Sequence, residues 1–321
     1  MIAFIVRRLT YGVATVLGVL LFLFVLFFLY AHPEDIARRA IGEKAPPQAI
    51  QQWIVNHGYD RPLFWNPDDP SASLLVDHFR RMLTFDFGRS DADDTPIRDR
   101  LADGIGPTLS LTVPLFGLEL LLSIAVALFV ATFRETYIDR AGLVACVLVM
   151  SVSILLYIIG GQYLFGRLLK WFPVSGYDPS PAVIARFLAL PIAVGLATSF
   201  GESVRFYRTV FVEEMTRDYV RTARAKGCGD ARVMWGHVLK NAMIPILTQV
   251  VVAIPFLFTG SILLESFFGI PGLGSLTVDS IQANDFATLR VMVFIGALLF
   301  ILAQIATDVL YSVVDPRVRL E

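Results

Sequence analysis

Six apolar runs divide the chain: Leu9 to Tyr30, Pro107 to Phe133, Ala141 to Gly166, Ala182 to Phe200, Met243 to Ser266 and Leu289 to Val313. Each is close to or above the roughly 20 residues that cross the hydrocarbon core of a bilayer as a helix. The fourth is the weakest, with Arg186 near its start and Pro191 interrupting it. The first follows Arg7 and Arg8, as a secretory signal would. Its apolar run exceeds the about 7 to 15 residues of a signal core, however, and no A-x-A cleavage site follows, so it is predicted to stay as an uncleaved first span. Pro191 and Pro255 are tolerated in membrane helices whose neighbours satisfy the freed carbonyls, and they mark predicted bends.

The polar segment between the first two runs has its own periodicity. In "SLLVDHFRRMLTFDFG", Leu75, Phe79, Met82 and Leu83 fall on one helical face. In "DDTPIRDRLADGIG", Asp94 or Thr95 offers an N-cap, Pro96 suits the first turn, and Ile97, Leu101 and Ile105 recur on one side. Both stretches are predicted to be short amphipathic helices on the outer surface, packed against the membrane domain or presented to an external partner.

Composition agrees with the pattern. The 321 residues are 55% hydrophobic and 17% charged, with a mean hydropathy of +0.64, which is too apolar for an ordinary soluble enzyme. A net charge of -1 gives no reason to expect nucleic acid. Where the charges fall is more informative. With six spans, Arg7, Arg8, Arg134, Arg140, the dense set from Arg205 to Lys240, Arg317 and Arg319 all lie on one side, the predicted cytoplasm. The loop from Phe267 to Thr288 lacks Lys and Arg and belongs outside. Residues 31–106 carry both signs of charge, but so long a segment is largely exempt from the rule.

Catalytic and metal chemistry find little support. Cys146 lies in an apolar run and Cys228 in the basic loop; with four scattered histidines they show no metal-ligand spacing, and they are not expected to form a disulfide. Neither a Ser/His pair, paired aspartates nor an H-E-x-x-H motif sits in a span, so intramembrane proteolysis is not indicated. There is no G-x-x-x-x-G-K-[ST], so the chain does not cradle ATP by itself. Glu119, about twelve residues into the second run, falls near the middle of the bilayer, where an ionisable group is a functional hypothesis by default. It either pairs structurally, for instance with a neighbouring helix of a partner, or serves the transport pathway. Glu202, Glu265 and Asp308 lie near span ends as packing or gating residues.

The most charged stretch is "RDYVRTARAKGCGDARVMWGHVLKNAMIP", Arg217 to Pro245. Tyr219, Thr222, Ala223 and Lys226 share one helical face, and Arg217, Arg221 and Arg224 line another. Gly227 and Gly229 break this helix, and Asp230 can cap a second one with an apolar stripe of Ala231, Met234, Trp235, Val238 and Ala242. On residues alone this is a positive-inside loop with an interfacial amphipathic helix.

The stretch also resembles the cytoplasmic coupling loop, or EAA loop, of ABC importer permeases of the dipeptide/oligopeptide/nickel type. Thr222 and Ala223 stand where the general motif has two alanines, Arg221 replaces its glutamate, and Gly227 is its glycine. Leu239-Lys240 replaces the later Leu-Pro. "YDRPLF", "FDFGRS", "WFPVSGY", "LLESFFGIPGLGSL" and "VDPRVR" resemble the same family in the same order, so the likeness covers nearly the entire chain. "FDFGRS" and "WGHVLKNAM" lean toward the branch that imports larger or modified peptides, including peptide antibiotics.

The resemblance implies an all-α membrane protein of about six transmembrane helices, with the type I ABC importer permease fold and a sizeable extracytoplasmic segment after the first helix. Its expected divisions are a first span over 1–30, an extracytoplasmic segment over 31–106, a five-helix membrane domain over 107–313 with the coupling loop at 213–242, and a tail at 314–321. It implies a non-catalytic subunit forming half of a pathway for peptides or peptide-like substrates. Tyr219, Arg221, Thr222, Ala223, Arg224, Ala225, Lys226 and Gly227 would meet an ATPase, and Glu119, Glu265, Pro271 and Gly272 would line or gate the pathway. The implied partners are a second homologous permease, two ABC ATPases that hold ATP and Mg, an extracytoplasmic binding protein and the lipid bilayer. The implied location is a bacterial cytoplasmic (inner) membrane, multi-pass, with both termini in the cytoplasm. A secondary transporter driven by an ion gradient through Glu119, or a membrane scaffold recruiting a cytoplasmic partner, is the competing reading.

Overall fold

A computed structural model describes the chain except residues 1, 31–32, 43, 67–68, 70–72 and 315–321. The expectation for "VDPRVR", with Arg317 and Arg319, therefore lies outside the described residues, as does that part of the predicted tail. The described chain is helical, and its one β-bridge joins Arg89 and Pro96. The helices in order are α1 (Ile2–Phe24), α2 (Pro33–Ile41), α3 (Pro47–Asn56), α4 (Leu74–Leu83), α5 (Ile97–Thr132), α6 (Tyr137–Met150), α7 (Ile154–Gly161), α8 (Ile184–Glu214), α9 (Asp218–Ala225), α10 (Asp230–Val233), α11 (Leu239–Thr259), α12 (Ile262–Phe268), α13 (Leu273–Gln282) and α14 (Phe286–Val314).

Among the described residues, five helical stretches are long and apolar enough to cross a membrane: Val6–Leu29, Ile97–Thr132, Ile184–Glu214, Asp230–Phe268 and Phe286–Val309. The predicted third span differs from a single rod. It is a pair, Tyr137–Met150 and Ile154–Leu168, bent by 82° across Ser151, Val152 and Ser153. Hydropathy runs on through this corner, but the Ser153 backbone is extended there (φ -62°, ψ 140°). Counted as one, the pair brings the total to six.

The outer segment also departs from the periodic reading. No separate helix forms at Ile97: α5 starts there and continues unbroken for 36 residues through Pro107 and Pro114. The N-cap is Pro96, and neither Asp94 nor Thr95 caps it. Ile97 and Leu101 are buried as their spacing predicts, whereas Ile105 is exposed. In α4 the buried face is Leu74, His78 and Met82, capped by the Ser73 hydroxyl accepting from Val76 N at 3.3 Å. Leu83 is exposed and Leu75 and Phe79 are half-buried. The inward stripe is shifted because His78 donates Nε2–H to the Leu20 carbonyl (3.1 Å) and packs on Phe24 and Phe28.

Small residues allow the central spans to approach closely. A Cβ on Gly195 in α8 would meet Leu115 of α5, and one on Gly201 would meet the Cys146 carbonyl oxygen of α6 at 2.7 Å. Three apolar clusters result. One joins α1, the outer helices and α14; a second joins α5 and α8 to α9–α11; a third joins α7, α8 and α12.

Candidate functional site

Three groups of candidate residues lie along this frame. The first is a cavity of ≈ 460 Å³ between α5, α8 and α11, lined among others by Thr112, Glu119, Glu202, Ser203, Tyr207 and Gln249. Glu119 reaches it because α5 and α8 pack along their lengths; the Ser203 hydroxyl donates to Glu119 Oε1 at 2.5 Å. Its observed partner is thus a helix of its own chain. Glu202 is exposed and borders the same cavity.

The second group is the turn between α11 and α14. Gly260 (φ 75°) ends α11, α12 follows, and Gly269 (φ 66°) in the left-handed region turns the chain into α13. Both are conformations that glycine adopts without penalty. Glu265, predicted near a span end, is fully buried. Its carboxyl accepts from Ser261 N (3.1 Å), Gly274 N (2.7 Å), Ser275 N (3.2 Å) and the Thr108 hydroxyl (3.2 Å). It therefore caps the free first-turn N–H groups of α13 and ties that helix to α12 and α5. Thr108 also accepts from Leu273 N at 2.7 Å. Gly272 is buried, and a Cβ there would overlap the Glu265 carboxylate and the Thr108 hydroxyl. Pro271 is exposed. Glu265 and Gly272 thus act together as a fastener, and Pro271 stands outside it.

The third group is α9. Only Val220 and Ala223 of this helix are buried, in the cluster with Phe211, Met234 and Val238. Tyr219 is half-buried and donates its hydroxyl to Glu214 Oε2 at 2.7 Å; burial and the Glu214 carboxylate push its phenol well above the ordinary range. Arg221, Thr222, Arg224, Ala225 and Lys226 are exposed. The expected Tyr219–Thr222–Ala223–Lys226 face is split: Tyr219 and Ala223 anchor, while Thr222 and Lys226 project. Gly227 (φ 81°) closes the helix, with Cys228 N donating to Ala223 O (3.2 Å) and Gly227 N to Arg224 O (2.9 Å). That paired bonding is a Schellman turn, which calls for a left-handed residue at this position.

The following helix differs from the predicted stripe. Its N-cap is Gly229, not Asp230, and the Asp230 carboxylate instead lies 3.3 Å from Arg224 Nη2. Val233, Met234, Val238 and Ala242 are buried, whereas Ala231 and Trp235 are exposed. A wider π-helical turn at Met234–Val238 shifts the register and joins α10 directly to α11. The second short helix is the beginning of the Asp230–Phe268 span.

Sequence reasoning missed the polar joint that fixes the outer segment. Asp285, 1% exposed, accepts from the Ser90 hydroxyl (2.6 Å), Asp91 N (3.0 Å), Arg100 Nη1 (3.0 Å), and Thr288 N and Oγ1 (3.1 and 2.6 Å). Asp91 in turn accepts from Ala287 N (2.8 Å) and the Tyr59 hydroxyl (3.3 Å). An Asp immediately before an apolar run is an N-cap signal, and Asp285 at the head of α14 carried it.

These observations accord with comparisons to known proteins. Residues 123–320 match the family model described as binding-protein-dependent transport system inner membrane component. Residues 1–112 match the model for the N-terminal part of such membrane components. The chain is 33% identical over 326 residues to the glutathione transport system permease protein GsiC of Salmonella choleraesuis, covering 99% of each chain. The protein of the same name from Escherichia coli K12 is 33% identical over 321 residues, 97% of this chain and 99% of its own. Helical spans, outer segment and sequence likeness converge: the chain belongs to the family of inner membrane components of binding-protein-dependent transport systems, as a multi-pass permease subunit of an ABC importer.

Proposed function

We propose that this permease forms half of a translocation pathway for peptides or peptide-like solutes, beside a second homologous permease. Two ATPases, which hold ATP and Mg, act on it through the segment 217–242, and an extracytoplasmic binding protein delivers cargo to the face bearing Glu265 and Asp285. Both termini lie in the cytoplasm. The observation that carries this reading is the construction of α9: two small buried side chains and a Schellman turn anchor it, while Arg221, Thr222, Arg224 and Lys226 are left exposed at the head of the Asp230–Phe268 span. A push on α9 passes through the π-helical turn into α11, whose Gln249 and Ala253 border the Glu119 cavity. Glu119, Glu202 and Gln249 serve the pathway; Glu265 and Gly272 hold its outer end. The chain itself performs no catalysis.

The likeness to glutathione permeases makes glutathione the first cargo to try. The test is to purify the tagged chain from its native membrane in mild detergent, identify what accompanies it, and measure ATP hydrolysis with binding protein loaded with glutathione or other short peptides. Co-purification of two ATPases and a second permease, with hydrolysis raised by loaded binding protein, is expected. A chain that emerges alone in several detergents would overturn the reading.

A further inference from the structure

On the outer face, a second cavity of ≈ 630 Å³ opens between the end of α1, α4, the Val55–Arg61 turn and the head of α14. Arg290 of α14 lines it and is 9% exposed. Its guanidinium lies 4.4 Å over the Phe28 ring and donates Nη2–H to the Tyr59 oxygen at 3.1 Å, but makes no ion pair among the described residues, and its Nε–H has no partner. Other arginines tied to buried carboxylates are paired directly: Arg208 with Asp139 at 2.6 Å and Arg100 with Asp285 at 3.0 Å. Beside it, His78 is 4% exposed and spends Nε2–H on Leu20, leaving Nδ1 as a bare acceptor.

A buried guanidinium without a direct counter-ion is costly, and a buried unpartnered donor adds to that cost. Asp91 compensates poorly, because it reaches Arg290 only through the Tyr59 hydroxyl and its burial raises its own carboxyl above the usual range. Burial and the Arg290 charge lower His78 to about 4, so the imidazole is neutral near pH 7 and keeps its acceptor. A single bridging water would answer the two open atoms, but a cavity of ≈ 630 Å³ has room for a small solute. At the rim, Arg61 and Arg81 flank the single Asp77 carboxylate at 3.6 and 2.8 Å and Arg89 lies 3.1 Å from Asp94, whereas Arg290 has no carboxylate at such a distance among the described residues.

We infer that this cavity is a binding site for a small anion, a carboxylate or phosphate group seated on the Arg290 guanidinium with a donor group of the ligand facing His78 Nδ1. It lies apart from the Glu119 cavity and does not depend on the proposed coupling role of α9. Planar guanidinium suits such oxygen pairs, and its desolvation strengthens the bond.

The test is calorimetric titration of the full chain, in detergent and in nanodiscs of anionic lipid, with trialanine, trialanine C-terminal amide and inorganic phosphate near pH 7. Saturable binding of trialanine or phosphate is expected, with the amide weaker by about tenfold or more, the loss that follows from removing one charged hydrogen bond. Arg290→Lys, which keeps the charge and loses the fork, is expected to weaken both anions to the same degree. Binding seen in detergent and lost in nanodiscs assigns the anion to a lipid phosphate; binding kept in both assigns it to a solute. Equal affinity for trialanine and its amide, or no saturable binding of either anion to the wild type, overturns the proposal. The amide comparison needs no variant, so it stands even where Arg290→Lys fails to fold.

Discussion

The joint of buried carboxylates around α12–α14 and the helix α9 are built on opposite plans. In the first, carboxylates are buried and saturated: Glu265 accepts four hydrogen bonds and Asp285 five, from segments up to 195 residues apart in sequence. Around α9, charges are exposed and paired at the surface, as in Arg221 with Asp218 at 3.7 Å, and the helix is held by two small apolar side chains and one turn. Saturated buried polar groups fix one arrangement because any departure leaves donors without water or partner. A thinly anchored helix with a free charged face can engage another protein at little cost to its own chain. The comparison teaches that rigidity is concentrated around the buried carboxylates of α12–α14, while the proposed coupling would act on the more thinly anchored α9.

Removing the outer fastener should have the largest effect. Glu265→Ala strands three backbone N–H groups and the Thr108 hydroxyl, and should cost about 3–5 kcal/mol, in the range for breaking a buried polar network. It should appear as a large fall in the thermal unfolding midpoint in detergent. Acid should be nearly as effective. With a folded pKa of about 4 against 6.5 unfolded, His78 binds its proton more readily in the unfolded chain. Its contribution is thus complete above pH 6.5 and is lost as pH falls toward about 4, amounting to about 3 kcal/mol. His78→Gln should flatten that part of the pH profile, and an unchanged profile would contradict the assignment. Gly272→Ala should cost about 1–3 kcal/mol by forcing Glu265 and Thr108 apart, read by the same unfolding measurement. Gly227→Pro cannot adopt φ 81° and removes the N–H bonded to Arg224, so it should uncouple uptake while the protein still inserts. Smallest in stability is Arg221→Ala, expected to shift the midpoint by less than about 0.5 kcal/mol, with its effect confined to ATPase stimulation.

Much of this contrast was legible in the order of residues. Apolar length located the spans, and Gly227 marked the end of α9 because few other residues take a left-handed backbone. What escaped was set by dihedral angles or by distant partners. The 82° corner at Ser151–Ser153 leaves hydropathy unchanged. The π-helical turn at Met234–Val238 altered which side chains turn inward, so that of the expected apolar stripe Met234 and Val238 are buried while Trp235 is exposed. Glu265 looked like an interfacial residue because its donors, Gly274, Ser275 and Thr108, come from other helices. Ala223 was expected at the ATPase contact, yet it is buried in its own chain's core, which gives it an anchoring role and leaves Arg221 and Arg224 as the exposed residues of the proposed contact. Arg290 and Asp285 were invisible as a pair of opposites, one without a direct ion pair among the described residues and one amply supplied, until residues 31–106 were folded against α14.

The most direct test of the central claim, that the exposed face of α9 receives the ATPase, is binding-protein-stimulated ATP hydrolysis by the purified assembly carrying Arg221→Glu and Arg224→Glu together. The account predicts that the ATPases no longer co-purify in full amount and that stimulation is lost, while the unfolding midpoint of the permease is unchanged. Full stimulation by the double variant would contradict it.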